Sequence, residues 1–172
     1  RDLAGMLNAF RVDIKSFSDA FYRKVCGGRL QPVLDATLLA KELGMHIETV
    51  TLVIPGQNDS MEEMEGLIRW VVENLGPDTP MHFTRFHPEY RMLDVWPTPV
   101  RTLEKVYERA KELGINYPYL GNVGGHPYES TYCPSCGNLI IERAGYAIRI
   151  RGLEGHSCTR CGGHIEYVSE IR

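Results

Sequence analysis

Two short cysteine motifs constrain this chain more than anything else in it. Cys133-Pro-Ser-Cys136-Gly137 and Cys158-Thr-Arg-Cys161-Gly162 are near-identical, and twenty-one residues separate them. A CxxC turn points two thiolates at one centre, and the glycine that follows tolerates the positive-φ backbone of such a turn. Two such turns complete a four-sulfur shell, so Cys133, Cys136, Cys158 and Cys161 are expected to hold one tetrahedral metal ion. Zinc is the expected metal, and iron in a rubredoxin-like site is its competitor. Four protein ligands leave no open coordination position, so the ion is structural and stabilises a segment too small to fold alone.

Between the knuckles, Leu139-Ile140-Ile141 and Tyr146 to Ile150 have strand character, with Ala144-Gly145 as the turn. Residues 127–172 are therefore expected to form a β zinc ribbon. Disulfides are the alternative use of the cysteines, but no apolar stretch approaches the ~20 residues a membrane helix needs, and the N-terminus has no signal-peptide pattern. The expected compartment is the cytoplasm, where disulfides are rare. The fifth cysteine, Cys26 in Val25-Cys26-Gly27-Gly28, is expected to be a buried, inert thiol.

Residues 1–126 alternate strand and helix signals, the pattern of a parallel α/β sheet. Phe10 to Lys15 is an expected strand. Leu30 to Leu43 carries Leu30, Val33, Leu34, Thr37 and Leu38 at helical spacing and stops at Gly44. His46 to Ile54 is a β-branched run closed by Pro55-Gly56. Ser60-Met61-Glu62-Glu63 is a capping box for a helix whose Met61, Met64, Leu67, Ile68, Val71, Val72 and Leu75 share a face. Met81 to Phe86 is a third strand. Thr98-Pro99 opens a helix with Val100, Leu103, Val106, Tyr107, Ala110 and Leu113 inward, and Asn116 to Leu120 is a fourth short strand. Four such units make half of a (β/α) barrel or a small open sheet, and periodicity does not choose between them.

In α/β folds chemistry gathers at the C-terminal ends of parallel strands. Asp13 and Lys15, two apart, share one face of the first strand, opposite Val12 and Ile14, and form either an internal salt bridge or part of a site. Ile54-Pro55-Gly56-Gln57-Asn58-Asp59 is a glycine turn at the second strand end, suited to a ligand lying against backbone. Arg85-Phe86-His87-Pro88 closes the third strand, where His87 serves either the fold or the same opening.

At these residues nearly the whole chain resembles the C-terminal part of a radical S-adenosylmethionine enzyme similar to pyruvate formate-lyase-activating enzymes, within the AmmeMemoRadiSam-system subgroup. The resemblance rests on Val12-Asp13-Ile14-Lys15-Ser16, Thr51 to Asp59, His82-Phe83-Thr84-Arg85-Phe86-His87-Pro88, Tyr119 to Val123 and Tyr132 to Gly137. It implies a partial TIM-like (β/α) barrel of about four parallel strands over residues 1–126, followed by the ribbon. It also implies that Asp13, Lys15 and His87 help hold the methionine and ribose parts of S-adenosylmethionine, with the Ile54-Pro55-Gly56 backbone near its adenine. In that family, oxidoreductases of the activating-enzyme type, a reduced [4Fe-4S] cluster cleaves the cofactor to a 5′-deoxyadenosyl radical that abstracts hydrogen from a substrate such as a protein glycine. The family's CxxxCxxC loop and glycine-rich strand have no counterpart here. The expectation is a chain holding the later barrel strands, with those parts upstream of Arg1 and no catalysis by this chain alone.

The competing reading is a zinc-ribbon binding or oligomerisation module without catalysis. Nineteen basic against twenty-two acidic residues give a net charge of -3. The ribbon balances Arg143, Arg149, Arg151, Arg160 and Arg172 with Glu129, Glu142, Glu154, Glu166 and Glu170. That balance is a poor electrostatic footprint for nucleic acid. Exposed strand edges favour a homodimer instead.

Overall fold

The computed structural model describes residues 5–166. Four strands, β1 (Ala9–Asp13), β2 (His46–Val53), β3 (Met81–Arg85) and β4 (Pro118–Gly121), form one parallel sheet in the order β1-β2-β3-β4. Each crossover is helical: α1 (Asp19–Phe21) and α2 (Leu30–Glu42) follow β1, α3 (Met61–Asn74) follows β2, and α4 (Val100–Glu112) follows β3. This is the open half-barrel arrangement. Among the described residues no helix is long and apolar enough to cross a membrane.

Strand alternation decides which side chains meet the helices. Val12, Ile47, Val53, Met81, Phe83 and Leu120 face them and join Met64, Leu67, Ile68, Val71, Leu103, Val106 and Ala110 in one core. Burying such aliphatic side chains contributes roughly 1.5–3 kcal/mol each before entropy is counted. The other face of the sheet carries Arg11, Asp13, Glu48, His82 and Tyr119, as the pairings Arg11 with Glu48 and His82 with Tyr119 require.

Helix α3 begins as its capping box predicts, with Ser60 Oγ accepting from Glu63 N at 3.2 Å. The reciprocal half is redirected. The Glu63 carboxylate instead accepts from Ser16 Oγ and, at 2.9 Å, from Phe17 N, tying the loop after β1 to the start of α3. Helix α2 borrows its cap from a distance, because Asp19 Oδ1 accepts from Leu30 N at 3.1 Å.

Three sequence expectations need correction. Strand β1 stops at Asp13, so Lys15 lies in the loop beyond it, although Ile14 N still donates to Val50 O at 3.0 Å. The turn of the ribbon hairpin falls after Ala144, at Gly145 and Tyr146, and lengthens the first strand to Leu139–Ala144. Cys26 is exposed, not buried. It ends a π-helical turn, Tyr22–Cys26, that buries Tyr22 and leaves the thiol outward before Gly27 reverses the chain at φ 66°.

The C-terminal part is small and β-rich. Strands β5 (Thr131–Tyr132), β6 (Leu139–Ala144) and β7 (Ala147–Ile150) form an antiparallel sheet, and β8 (Leu153–Glu154) pairs with β9 (Ser157–Cys158). Its core is little more than Ile140, Ile165, Cys133 and Cys158. Of the ribbon charges counted from sequence, Glu170 and Arg172 lie outside the described residues.

Candidate functional site

The two knuckles close the same way. Cys133 N donates to Asn138 O at 2.8 Å and Cys158 N to Gly163 O at 2.9 Å, while Gly137 N and Gly162 N return to Cys133 O and Cys158 O. Gly137 and Gly162 adopt φ 70° and 71°, a conformation that favours glycine. The result brings all four Sγ atoms within 4.8 Å of one another. Cys133 to Cys161 and Cys136 to Cys158 are each 3.7 Å apart. A tetrahedral ion with metal–sulfur bonds of about 2.3 Å places its sulfurs about 3.8 Å apart, close to the spacing of these two pairs, so the four thiols could hold one metal ion.

The thiol environment is suited to a cation. Burial opposes ionisation of Cys158, yet the amides of Arg160 and Cys161 and the Asn138 side chain draw it down to about 6. At Cys136 an Asn138 backbone bond favours the thiolate, but burial and the three neighbouring thiols push it up to about 12. A divalent ion removes that competition by stabilising every thiolate together.

A second group of predicted residues sits where β1, β2 and β3 end. Lys15 Nζ meets Asp13 Oδ1 at 2.9 Å, with side chains 43% and 54% exposed. The pair is therefore a rim ion pair and not an internal one, weakly held by the fold. Ile54 is buried against Phe21 and Phe86. Pro55 and Gly56 stand nearer solvent, and Gly56 (φ 69°) has no atom within 4 Å of where a Cβ would sit. Its glycine is required by backbone conformation, and the face above it is open. His87 is exposed at the end of β3, with Glu89 Oε2 at 3.9 Å. The structure brings Asp13 to Lys15 and joins Phe86, beside His87, to Ile54, while the His87 ring itself faces Glu89.

Three residues whose joining role sequence does not disclose hold these strand ends together. Asn58, 1% exposed, donates to Lys15 O at 2.6 Å and to Leu52 O at 2.9 Å and accepts from Ile54 N at 2.6 Å. Thr98 Oγ1 donates to Val53 O at 2.6 Å and accepts from Phe86 N at 3.0 Å. Asn122, at φ 59°, donates to Arg85 O at 3.1 Å. Their sequence signal is slight: polar residues just after strand ends, ordinary in loops.

The unhelixed face of the sheet carries a polar cluster that the sequence reading missed. Glu48 accepts from His82 Nε2 at 3.1 Å and lies 3.5 Å from His46 Nε2. The His82 hydrogen bond outweighs partial burial and holds the Glu48 carboxyl down at about 2. His82 stacks on Tyr119 at 5.1 Å between ring centroids, and the Arg143 guanidinium lies over the Tyr119 ring, 5.3 Å from its centroid. These residues border a groove of about 1520 Å³ between sheet and ribbon, at the N-terminal ends of the strands. Asp13, Lys15, Ile54, Gly56 and His87 lie at the opposite ends and do not line it.

The chain is 45% identical over 164 residues, 94% of its length and 49% of the relative's, to an uncharacterized protein of Methanocaldococcus jannaschii. It is 26% identical over 162 residues to the GTP 3′,8-cyclase of Limosilactobacillus fermentum, covering 81% of this chain and 47% of that one. A GTP 3′,8-cyclase of Listeria monocytogenes is 26% identical over 149 residues, 75% of this chain and 43% of that one. The chain thus spans about half the length of the relatives it matches. No family model matches. Among solved structures, a domain of a pyruvate-formate lyase-activating enzyme from Bacteroides vulgatus superposes with a TM-score of 0.61 at 11% identity, over 70% of this chain and 71% of that one, a likeness of fold.

Proposed function

We propose that this chain is the cofactor-positioning part of a radical S-adenosylmethionine enzyme of the glycyl-radical-activating type. It divides into a partial barrel, residues 1–126, and a structural zinc ribbon, residues 127–172. The observation that carries the reading is the rim pair Asp13–Lys15 beside the open Ile54-Pro55-Gly56 turn. The amino-acid end of S-adenosylmethionine bears one ammonium and one carboxylate, the charges that Asp13 and Lys15 complement. A half-exposed ion pair exchanges such partners at little cost.

S-adenosylmethionine with a [4Fe-4S] cluster supplies the radical chemistry of this enzyme class. The residues here bind and orient. Asp13, Lys15 and His87 hold the methionine and ribose parts, and the Ile54-Pro55-Gly56 backbone receives the adenine. Zinc in the four-cysteine shell keeps the ribbon folded against the last strand and takes no part in the reaction.

A protein carrying these residues together with a cluster-binding segment, reconstituted with iron and sulfide and reduced, is expected to release 5′-deoxyadenosine from S-adenosylmethionine. Reconstituted protein that binds a cluster and leaves S-adenosylmethionine intact overturns the reading.

One observation favours the non-catalytic alternative, an association module. Strand β7 is an edge of its sheet, Ile148 and Ile150 on it are 65% and 68% exposed, and Tyr146 in the turn before it is fully exposed. Apolar sheet edges invite pairing. Sedimentation that gives a monomer at high concentration removes this alternative.

A further inference from the structure

Lys15 is held by its backbone, while its side chain reaches out to the rim. Its N–H donates to Tyr22 Oη at 2.9 Å, and its carbonyl accepts from Asn58 Nδ2 at 2.6 Å. The two partners come from different elements: Tyr22 from the π-helical turn after α1, Asn58 from the loop after β2. Both are nearly sealed, at 4% and 1% exposure. The ammonium of Lys15, by contrast, reaches the rim and meets Asp13 there.

The demand on position 58 is chemically narrow. Its side chain donates to two carbonyls, Lys15 O and Leu52 O, while accepting from Ile54 N. Only a primary amide supplies two donors and an acceptor, and a carboxylate would turn its lone pairs on both carbonyls. The same amide therefore fixes Lys15 relative to Ile54, the two elements assigned above to opposite ends of the cofactor.

We infer that Asn58 and Tyr22 are positioning residues for Lys15, clamping its peptide from both sides so that its ammonium meets the carboxylate of bound S-adenosylmethionine. This rests on the cofactor reading proposed above. Neither residue touches the cofactor; each acts through Lys15.

The test is a double-mutant cycle on cofactor affinity, measured by equilibrium dialysis of labelled S-adenosylmethionine against the protein that carries these residues together with a cluster-binding segment, reconstituted with iron and sulfide. Tyr22→Phe removes one hydroxyl and keeps the ring, so it preserves the fold if Asn58→Ala does not. It is expected to weaken affinity about fivefold, the scale of one hydrogen bond, and Asn58→Ala at least as much. In a Lys15→Met background neither substitution is expected to weaken binding further, because the group they position is gone. Equal weakening in both backgrounds means a general structural role and overturns the inference, as does unchanged affinity in Tyr22→Phe. Wild-type protein without affinity for S-adenosylmethionine overturns the cofactor reading itself. Unchanged affinity in Lys15→Met with normal wild-type binding removes Lys15 from the cofactor site and overturns the positioning role.

Discussion

Tyr119 Oη lies 2.9 Å from Thr131 Oγ1, and through this contact the last strand of the parallel sheet meets the first strand of the ribbon. Arg143 reinforces it, since its Nη1 reaches Thr131 Oγ1 at 2.6 Å and its guanidinium sits over the Tyr119 ring. Tyr119→Phe keeps the stack and removes only the hydroxyl, so a loss of about 1 kcal/mol is expected in urea unfolding. Arg143→Ala removes both contacts and is expected to cost more.

The ribbon core is too small to persist without its ion. X-ray fluorescence of purified protein is expected to show one zinc per chain. Cys158→Ser is expected to abolish that content and to collapse the dispersed amide resonances of residues 131–165, while those of the β1–β4 sheet remain in place.

Glu48 sets a pH dependence with a definite sign. The His82 hydrogen bond holds its carboxyl down at about 2, below the ordinary 4.5. Its contribution to stability is therefore complete above the ordinary value and is lost as pH falls from there toward 2. More than a third of the side chain is exposed, so solvent screening reduces the effect to about 1 kcal/mol. Glu48→Gln is expected to flatten the acid limb of a stability profile measured between pH 6 and 2. An unchanged limb would show that other carboxylates govern it.

Gly121 ends β4 directly against β3. A Cβ at this position would lie 2.7 Å from Thr84 Cγ2, and threonine is stiff about its Cα–Cβ bond. Gly121→Ala is expected to lower stability by about 1–3 kcal/mol. Thr84→Ser in the same chain removes the clashing methyl and is expected to restore part of that loss, which calorimetry of the single and double variants measures.

What sequence revealed depended on how local the signal was. The four cysteines were legible because each knuckle is closed by hydrogen bonds within six residues, and α3 because Ser60 caps it directly. Strand β2 announced itself through its β-branched run. Cys26 was misplaced because two glycines after a short apolar segment do not disclose a π-helical turn whose buried face is Tyr22. The second half of the Ser60–Glu63 box was misassigned for a related reason: Ser16 and Phe17, forty-six residues or so away, compete for the same carboxylate. Glu48 and His82 stayed hidden because alternation assigns faces but not register, and the two residues meet only once Val50 is set opposite His82. The buttresses Asn58 and Thr98 needed three strand ends in place before their polarity had any meaning.

The order β1-β2-β3-β4 repeats the order of the chain itself. Every new strand is added beside the one made just before it, so no strand has to be inserted between two already joined. As synthesis proceeds, each β–α unit emerges next to a finished template and can settle before its successor exists. The ribbon follows last, and its ion then fastens a segment whose landing strand, β4, is already in place.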